Sequence, residues 1–224
     1  MNLELICKNI SINLKNQLNL DEDKASIIEY GLFAFFHMSI SILLVAVIGL
    51  IFNVMIEALI ISFVVAILRK FSGGAHASTA LNCAIVGVLI SIIPAYITKN
   101  LNFNINYIIF TGIPLYIISL IIVYKLAPVD SPNKPIKKQK KIKKLKKGSI
   151  ILLSIYMIIV AFNVIIYYIS KNHIFLVYSA CIYIGMLWQV FTLTKYGHIL
   201  VNIVDSLFIK IFKILRGEKN EKIK

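Results

Sequence analysis

Six apolar stretches, at about residues 29–51, 53–68, 84–98, 104–126, 149–169 and 174–194, leave this chain few ways to fold. A helix that crosses the hydrocarbon core of a bilayer needs roughly 20 apolar residues, within a range of about 17–25. Within lipid each backbone N–H and C=O must find a partner in the protein, and a helix supplies these partners locally. The pattern predicts an all-α membrane protein with about six transmembrane helices. The second and third stretches are short: they tilt little, extend into their flanks, or are partly re-entrant. The chain is 59% hydrophobic, against roughly 45–50% for an ordinary soluble domain. This excess sits in the long runs, which argues against a soluble globular fold.

Charge gives the orientation. The formal net charge is +14, which on a soluble protein would point to nucleic acid. Here the N-terminal segment, 69–83, 125–148 and the C-terminal segment hold 3, 2, 10 and 7 Lys/Arg, or 22 of the 24. Only Lys99 and Lys171 fall on the other side. By the positive-inside rule both termini and the 69–83 segment face the cytoplasm. The expected location is the cell membrane, multi-pass, and no nucleic-acid partner is implied. Residues 1–20 carry Leu3, Ile6, Ile10, Leu14 and Leu18 on one face, which predicts an amphipathic interfacial helix. Glu4 precedes any apolar run, and no cleavable signal peptide is expected. Residues 1–200 read as a single polytopic domain and 201–224 as a basic cytoplasmic tail.

The run KKQKKIKKLKK at 137–147 exceeds what orientation needs. It suits anionic lipid at about 1 kcal/mol per Lys near the surface, an acidic peptide, or both. Lys134, Lys137, Lys138, Lys140 and Lys141 are the candidate peptide-binding residues.

The chemistry points to RKFSGGAHASTALNCA, residues 69–84, a polar break between two apolar stretches. It holds His76 and Cys83. Ionisable groups near the membrane are costly and default to functional candidates. On one unbroken helix the seven-residue spacing would part them by about 10 Å, whereas a thiol–imidazole pair needs about 3 Å. A working pair therefore requires a break between them. Gly73 and Gly74 relieve steric limits before the His, and Ser78 and Thr79 are helix N-cap residues. The expectation is a loop carrying His76, then a helix start, then Cys83 within the first turn or two. A helix N-terminus or an adjacent imidazolium can bring a thiol from about 8.5 to about 3.5–7.5. Cys83 is the candidate nucleophile and His76 the candidate general base and acid. The Cys83 N–H, the Asn82 amide and Gly74 are candidates for holding an oxyanion or orienting the pair. Arg69 and Lys70 could receive a carboxylate or lipid phosphate, and Arg69 is favoured for substrate.

Other groups carry blander expectations. Glu57 and Asp130 are possible orienters of His76, and His37 a helix–helix hydrogen-bonding group. Glu29 reads as an interfacial cap and His173 as an outer-side residue. His198 and Asp205 are placed in the tail, where they could pair with its lysines. Cys7 and Cys181 read as packing, and Trp188 belongs to the bundle or its interface. The three cysteines show no CxxC spacing, so no zinc site, other metal or cofactor is expected.

LRKFSGGAHASTALNC (68–83) resembles the catalytic segment of the accessory gene regulator B (AgrB) family, membrane peptidases of Gram-positive quorum sensing. The shared pattern is a basic residue, Gly-Ala-His, and Cys seven residues after the His. APVDSPNKP (127–135) resembles that family's Ala-Pro…Lys-Pro segment, which precedes a basic loop. The likeness covers about residues 1–200; the stretch 196–224 is longer and more basic than the family pattern. The resemblance implies a cysteine endopeptidase whose catalytic His and Cys fall on His76 and Cys83. It would cleave the C-terminal tail from a precursor through a Cys thioester and cyclise the remainder to a (thio)lactone autoinducing peptide. The implied precursor has an amphipathic leader and an acidic C-terminal tail, and the implied assembly is a homodimer. The alternative is a non-catalytic membrane peptide exporter or lipid-binding protein.

Overall fold

The computed structural model describes residues 3–75, 77–129 and 138–215, with side chains as far as 211. Eight helices follow one another among the described residues: α1 Leu3–Leu18, α2 Glu22–Ile51, α3 Met55–Ser72, α4 Ala80–Asn100, α5 Ile105–Leu126, α6 Gln139–Ser170, α7 Ile174–Phe191 and α8 Lys195–Leu215. The chain forms two compact units that divide within α2, between Leu44 and Val45.

In the first unit α1 meets the start of α2 through a tight turn at Asn19, whose φ is 49°. The Ser11 hydroxyl donates to the Ala25 carbonyl at 2.5 Å, and Lys15 pairs with Glu22. Cys7 and Ser11 are buried on the inward stripe, while Leu5 and Leu18 stay exposed. The amphipathic N-terminal helix is therefore present, with Leu18 outside its inward face.

The second unit is a helix bundle centred on α3 and α7. Its core joins Val64 and Leu68 of α3, Val123 of α5, Leu153 and Tyr156 of α6, and Leu176, Tyr183 and Met186 of α7. Two tyrosines stitch the bundle across apolar faces. Tyr156 Oη donates to the Val64 carbonyl at 2.9 Å, and Tyr183 Oη donates to the Ile108 carbonyl at 3.1 Å. The outward faces of α4, α5 and α6 are apolar too, with Ile97, Phe110, Ile158 and Ile169 exposed. In water such faces would be a liability; against acyl chains they are the expected surface.

Five helices are long and apolar enough to cross a membrane: α2, α4, α5, α6 and α7. The remaining stretch, the second, forms α3, which is 18 residues long and carries Glu57, Arg69 and Lys70 near its ends. The short third stretch gains length from its flanks, since α4 runs from Ala80 to Asn100. Two expectations change. The basic 125–148 segment is not all loop: α6 begins at Gln139, because Lys, Gln and Leu sustain a helix and no Pro or Gly intervenes before Gly148. The stretch expected as a tail is helical as far as Leu215, its apolar residues spaced for an amphipathic helix.

Candidate active site

The site forms where the C-terminal end of α3, the N-terminal end of α4 and the α7–α8 turn come together. Gly73 ends α3, its N–H donating to the Arg69 carbonyl at 2.9 Å. Its φ of 68° with ψ of −150° suits glycine almost alone. Gly74 follows at φ 133°. These two residues turn the chain out of the helix.

The second motif segment packs against this turn. The Val129 N–H donates to the Ser72 carbonyl at 2.8 Å, and Gly73 and Val129 form an isolated parallel bridge. A Cβ on Gly73 would lie 2.0 Å from the Val129 carbonyl oxygen. The close approach explains the glycine at that position as much as the backbone angle does. Gly74 is equally confined, 2.6 Å from the Thr192 hydroxyl by the same construction.

From the other side comes the end of α7. Gln189 is fully buried and its Nε2 donates to Ser72 Oγ at 3.0 Å and to the Gly73 carbonyl at 2.7 Å. Its Oε1 has no partner among the described residues. The Ala75 N–H donates to the Thr192 carbonyl at 3.1 Å. Arg69 reaches forward to donate to the Ala75 carbonyl, and its buried Nε has no partner among the described residues. The guanidinium also interacts electrostatically with Cys83.

His76 lies outside the described residues, as do Asp130, Lys134 and Lys137. The break expected between His76 and Cys83 is present in the backbone. Thr79 is the N-cap of α4, its side chain accepting the Asn82 N–H at 3.2 Å. Cys83 is the fourth residue of the helix, partly exposed and a free thiol.

Two expected donors are engaged elsewhere. The Cys83 N–H makes the first helical hydrogen bond, to the Thr79 carbonyl at 3.0 Å. Asn82 is buried and its amide donates to Asp205 Oδ1 at 2.7 Å. Asp205 was expected to pair with lysines of a tail. Instead α8 returns it to the site, where its Oδ2 also accepts the Ser78 N–H at 3.1 Å. Burial pushes this carboxyl up, but the hydrogen bonds from Asn82 and Ser78 outweigh it and hold the group below the usual carboxylate range.

Other candidates sit apart. Glu57 is in the first turn of α3 and pairs with Lys99 at 3.6 Å. Twelve residues of helix, about 18 Å, separate it from Arg69. His173 is the N-cap of α7, its ring 5.4 Å from that of Tyr167, at the opposite end from Gln189. His37 stacks near Phe33 within α2. Cys181 is core packing beside Ala58, Ile61 and Val177. Trp188 lies 5.9 Å from Phe191, close to the end of α7. Lys138, Lys140 and Lys141 are exposed at the start of α6. Among the described residues no group of three His, Cys, Asp or Glu could hold a metal.

Sequence reasoning singled out the segment that holds Val129 but gave no site role to Gln189, Thr192 or Asp205. Gln189 and Asp205 did leave a trace, each a polar residue on an otherwise apolar face.

Known proteins resemble this chain in sequence. The sequence model of the family described as Accessory gene regulator B matches residues 7–193. A putative AgrB-like protein 2 from Clostridium perfringens strain 13 is 40% identical over 212 residues, covering 93% of this chain and 99% of its own. A putative AgrB-like protein from Clostridium perfringens strain SM101 is 41% identical over the same shares. Protein FsrB from Enterococcus faecalis is 25% identical over 142 residues, 62% of this chain and 57% of its own. No solved structure matches. With its two motif segments paired and relatives alike along nearly its whole length, this chain belongs to the accessory gene regulator B family.

Proposed function

We propose that this protein is a membrane-embedded cysteine endopeptidase that processes a quorum-sensing precursor peptide and releases it as a ring. Membership in a family involved in processing such propeptides supports the substrate class. One observation supports the chemical reading: Cys83 stands as a partly exposed free thiol in the first turn of α4, just after the chain turns out of α3 and Thr79 caps the new helix. A helix N-terminus favours negative charge nearby.

In this scheme His76 removes the Cys83 proton and the sulfur attacks the scissile carbonyl carbon. The C–S bond forms, the C–N bond breaks, and His76 returns the proton to the leaving amine. The C-terminal fragment departs, leaving an acyl thioester. An internal Cys or Ser of the peptide then attacks the thioester, and the ring leaves as the thiol re-forms. Water competes at this step, and hydrolysis is the downhill route. Cyclisation wins by rate: a bound internal nucleophile can reach an effective molarity of about 10⁵ M or more, and a recessed site excludes water.

The Arg69 Nε is a buried donor with no partner among the described residues, which suits it to a substrate carbonyl or carboxylate. The lysines at the start of α6 are proposed to attract the acidic tail and anionic lipid. We place the site at the cytoplasmic face, on the charge asymmetry of the loops, and keep a homodimer as the assembly.

The test uses reconstituted protein, a candidate precursor and product mass. A macrocycle lighter than the linear peptide by one water, lost in both Cys83→Ala and His76→Ala, supports the reading. A linear product reduces it to a hydrolase. Transport unaffected by Cys83→Ser favours an exporter.

A further inference from the structure

Asp205 is the sole acidic residue of α8 and lies beyond the stretch 7–193 that the family model matches. It is buried, and no cation pairs with it among the described residues. Its charge is instead held by two donor residues, Asn82 through its amide at 2.7 Å and Ser78 through its N–H at 3.1 Å and its hydroxyl. Both donors belong to the stretch that starts α4. Asn82 directly precedes Cys83, and Ser78 is the second residue after His76.

A second anchor lies on the other side of that histidine. The Ala75 N–H donates to the Thr192 carbonyl. Positions 75 and 78 therefore straddle residue 76, and both are tied to the C-terminal part of the chain. The tie at 75 comes from the end of α7, the tie at 78 from α8. Gly197 lets α8 fold back this closely, since a Cβ there would meet the Phe191 carbonyl oxygen at 2.1 Å.

We infer that Asp205 is a positioning residue and α8 a latch: its carboxylate bridges Ser78 and Asn82 and sets the backbone at the start of α4 that carries Cys83. This rests on the reading of His76 and Cys83 as the catalytic pair. Asp205 touches no reacting atom. It acts through the geometry of the 75–83 segment, where a displacement of about 1 Å can cost about a hundredfold in rate.

The experiment uses the full-length protein in lipid nanodiscs. Asp205→Ala, Asp205→Asn, Asn82→Ala and the Asn82→Ala/Asp205→Ala pair are compared with wild type. Precursor cleavage gives kcat and KM per folded molecule. Alkylation by iodoacetamide, read on the Cys83 peptide by mass spectrometry, gives thiol reactivity without any substrate.

Asp205→Ala lowers kcat by about thirtyfold and leaves KM within about threefold, because geometry and not substrate affinity is lost. Asp205→Asn returns kcat to within about threefold of wild type, since one oxygen still accepts the Ser78 N–H and Asn82 can turn its amide over to restore the second contact. The double variant falls no further than the worse single variant, as expected for two ends of one contact.

A kcat within twofold of wild type in Asp205→Ala overturns the latch, as does a double variant whose loss is the product of the two single losses. Should Asp205→Ala fail to fold, Asn82→Ala carries the same test. Should the wild type not cleave the precursor, the functional reading fails, and alkylation alone then decides. A change of about fivefold or more in the Cys83 rate on Asp205→Ala supports the latch; an unchanged rate overturns it.

Discussion

Replacing Gly73 with alanine tests whether the turn between α3 and α4 is as confined as the geometry says. Gly73 has φ 68° and ψ −150°, a region where a side chain costs about 1–3 kcal/mol. The new Cβ would also stand 2.0 Å from the Val129 carbonyl oxygen, so the Pro128–Val129 segment must retreat by about an ångström or more to reach ordinary contact. That retreat strains the 2.8 Å hydrogen bond from Val129 to Ser72, worth about 1 kcal/mol. Together these give a destabilisation of about 2–4 kcal/mol. Gly87→Ala is the matched control. Nothing lies within 4 Å of its Cβ, it sits inside α4, and the change is expected to be neutral or stabilising by up to about 1 kcal/mol. Reversible unfolding in mixed micelles measures both. Peptide cleavage by Gly73→Ala should fall with it, because the two motif segments part. A Gly73→Ala protein within about 0.5 kcal/mol of wild type, and fully active, would refute the reasoning.

Three further outcomes follow from other contacts. Tyr156→Phe removes the bond to the Val64 carbonyl and should cost about 0.5–1.5 kcal/mol in the same unfolding assay, the worth of one hydrogen bond, since that carbonyl keeps its helical partner within α3. Gln189→Leu removes both donations to Ser72 and Gly73; it should lower stability by about 1–3 kcal/mol and slow cleavage, while Gln189→Glu, with no donor to offer at neutral pH, should do the same. The Asp205 carboxyl is held below its usual value in the folded protein, so its contribution to stability is full above about pH 4 and is lost as pH falls through the lower folded value. The stability difference between wild type and Asp205→Ala should therefore stay flat from about pH 5 to 8 and shrink in stronger acid.

Much of the fold was legible because the membrane demands it: apolar runs must be helices, and all six stretches are helical. The break before Cys83 was legible for a local reason, since Ser78 and Thr79 cap a helix and the two glycines release the one before it. Places where the sequence misled are those where a neighbour far along the chain decides. Asn82 looked free to meet a substrate because nothing near it in sequence shows that Asp205, 123 residues on, takes its amide. Glu57 is engaged by Lys99, 42 residues on in the sequence, and nothing near it in the sequence shows that pairing. The lysine run read as loop because its charge drew attention away from its helix-forming composition. Gln189 had a legible signal, an amide in the middle of an apolar run, but what it binds depends on how α7 crosses α3.

The central claim is that a thioester forms on Cys83, and the intact mass of the protein tests it most directly. A precursor whose internal ring-forming residue is replaced by alanine can be cut but not cyclised, so the acyl-enzyme should accumulate. The account predicts an adduct equal to the leader and signal segment less one water, mapped to Cys83, labile to hydroxylamine, and missing from Cys83→Ala. Cleavage of that precursor at the wild-type rate by Cys83→Ala, or an adduct mapped to Cys7 or Cys181, would contradict it.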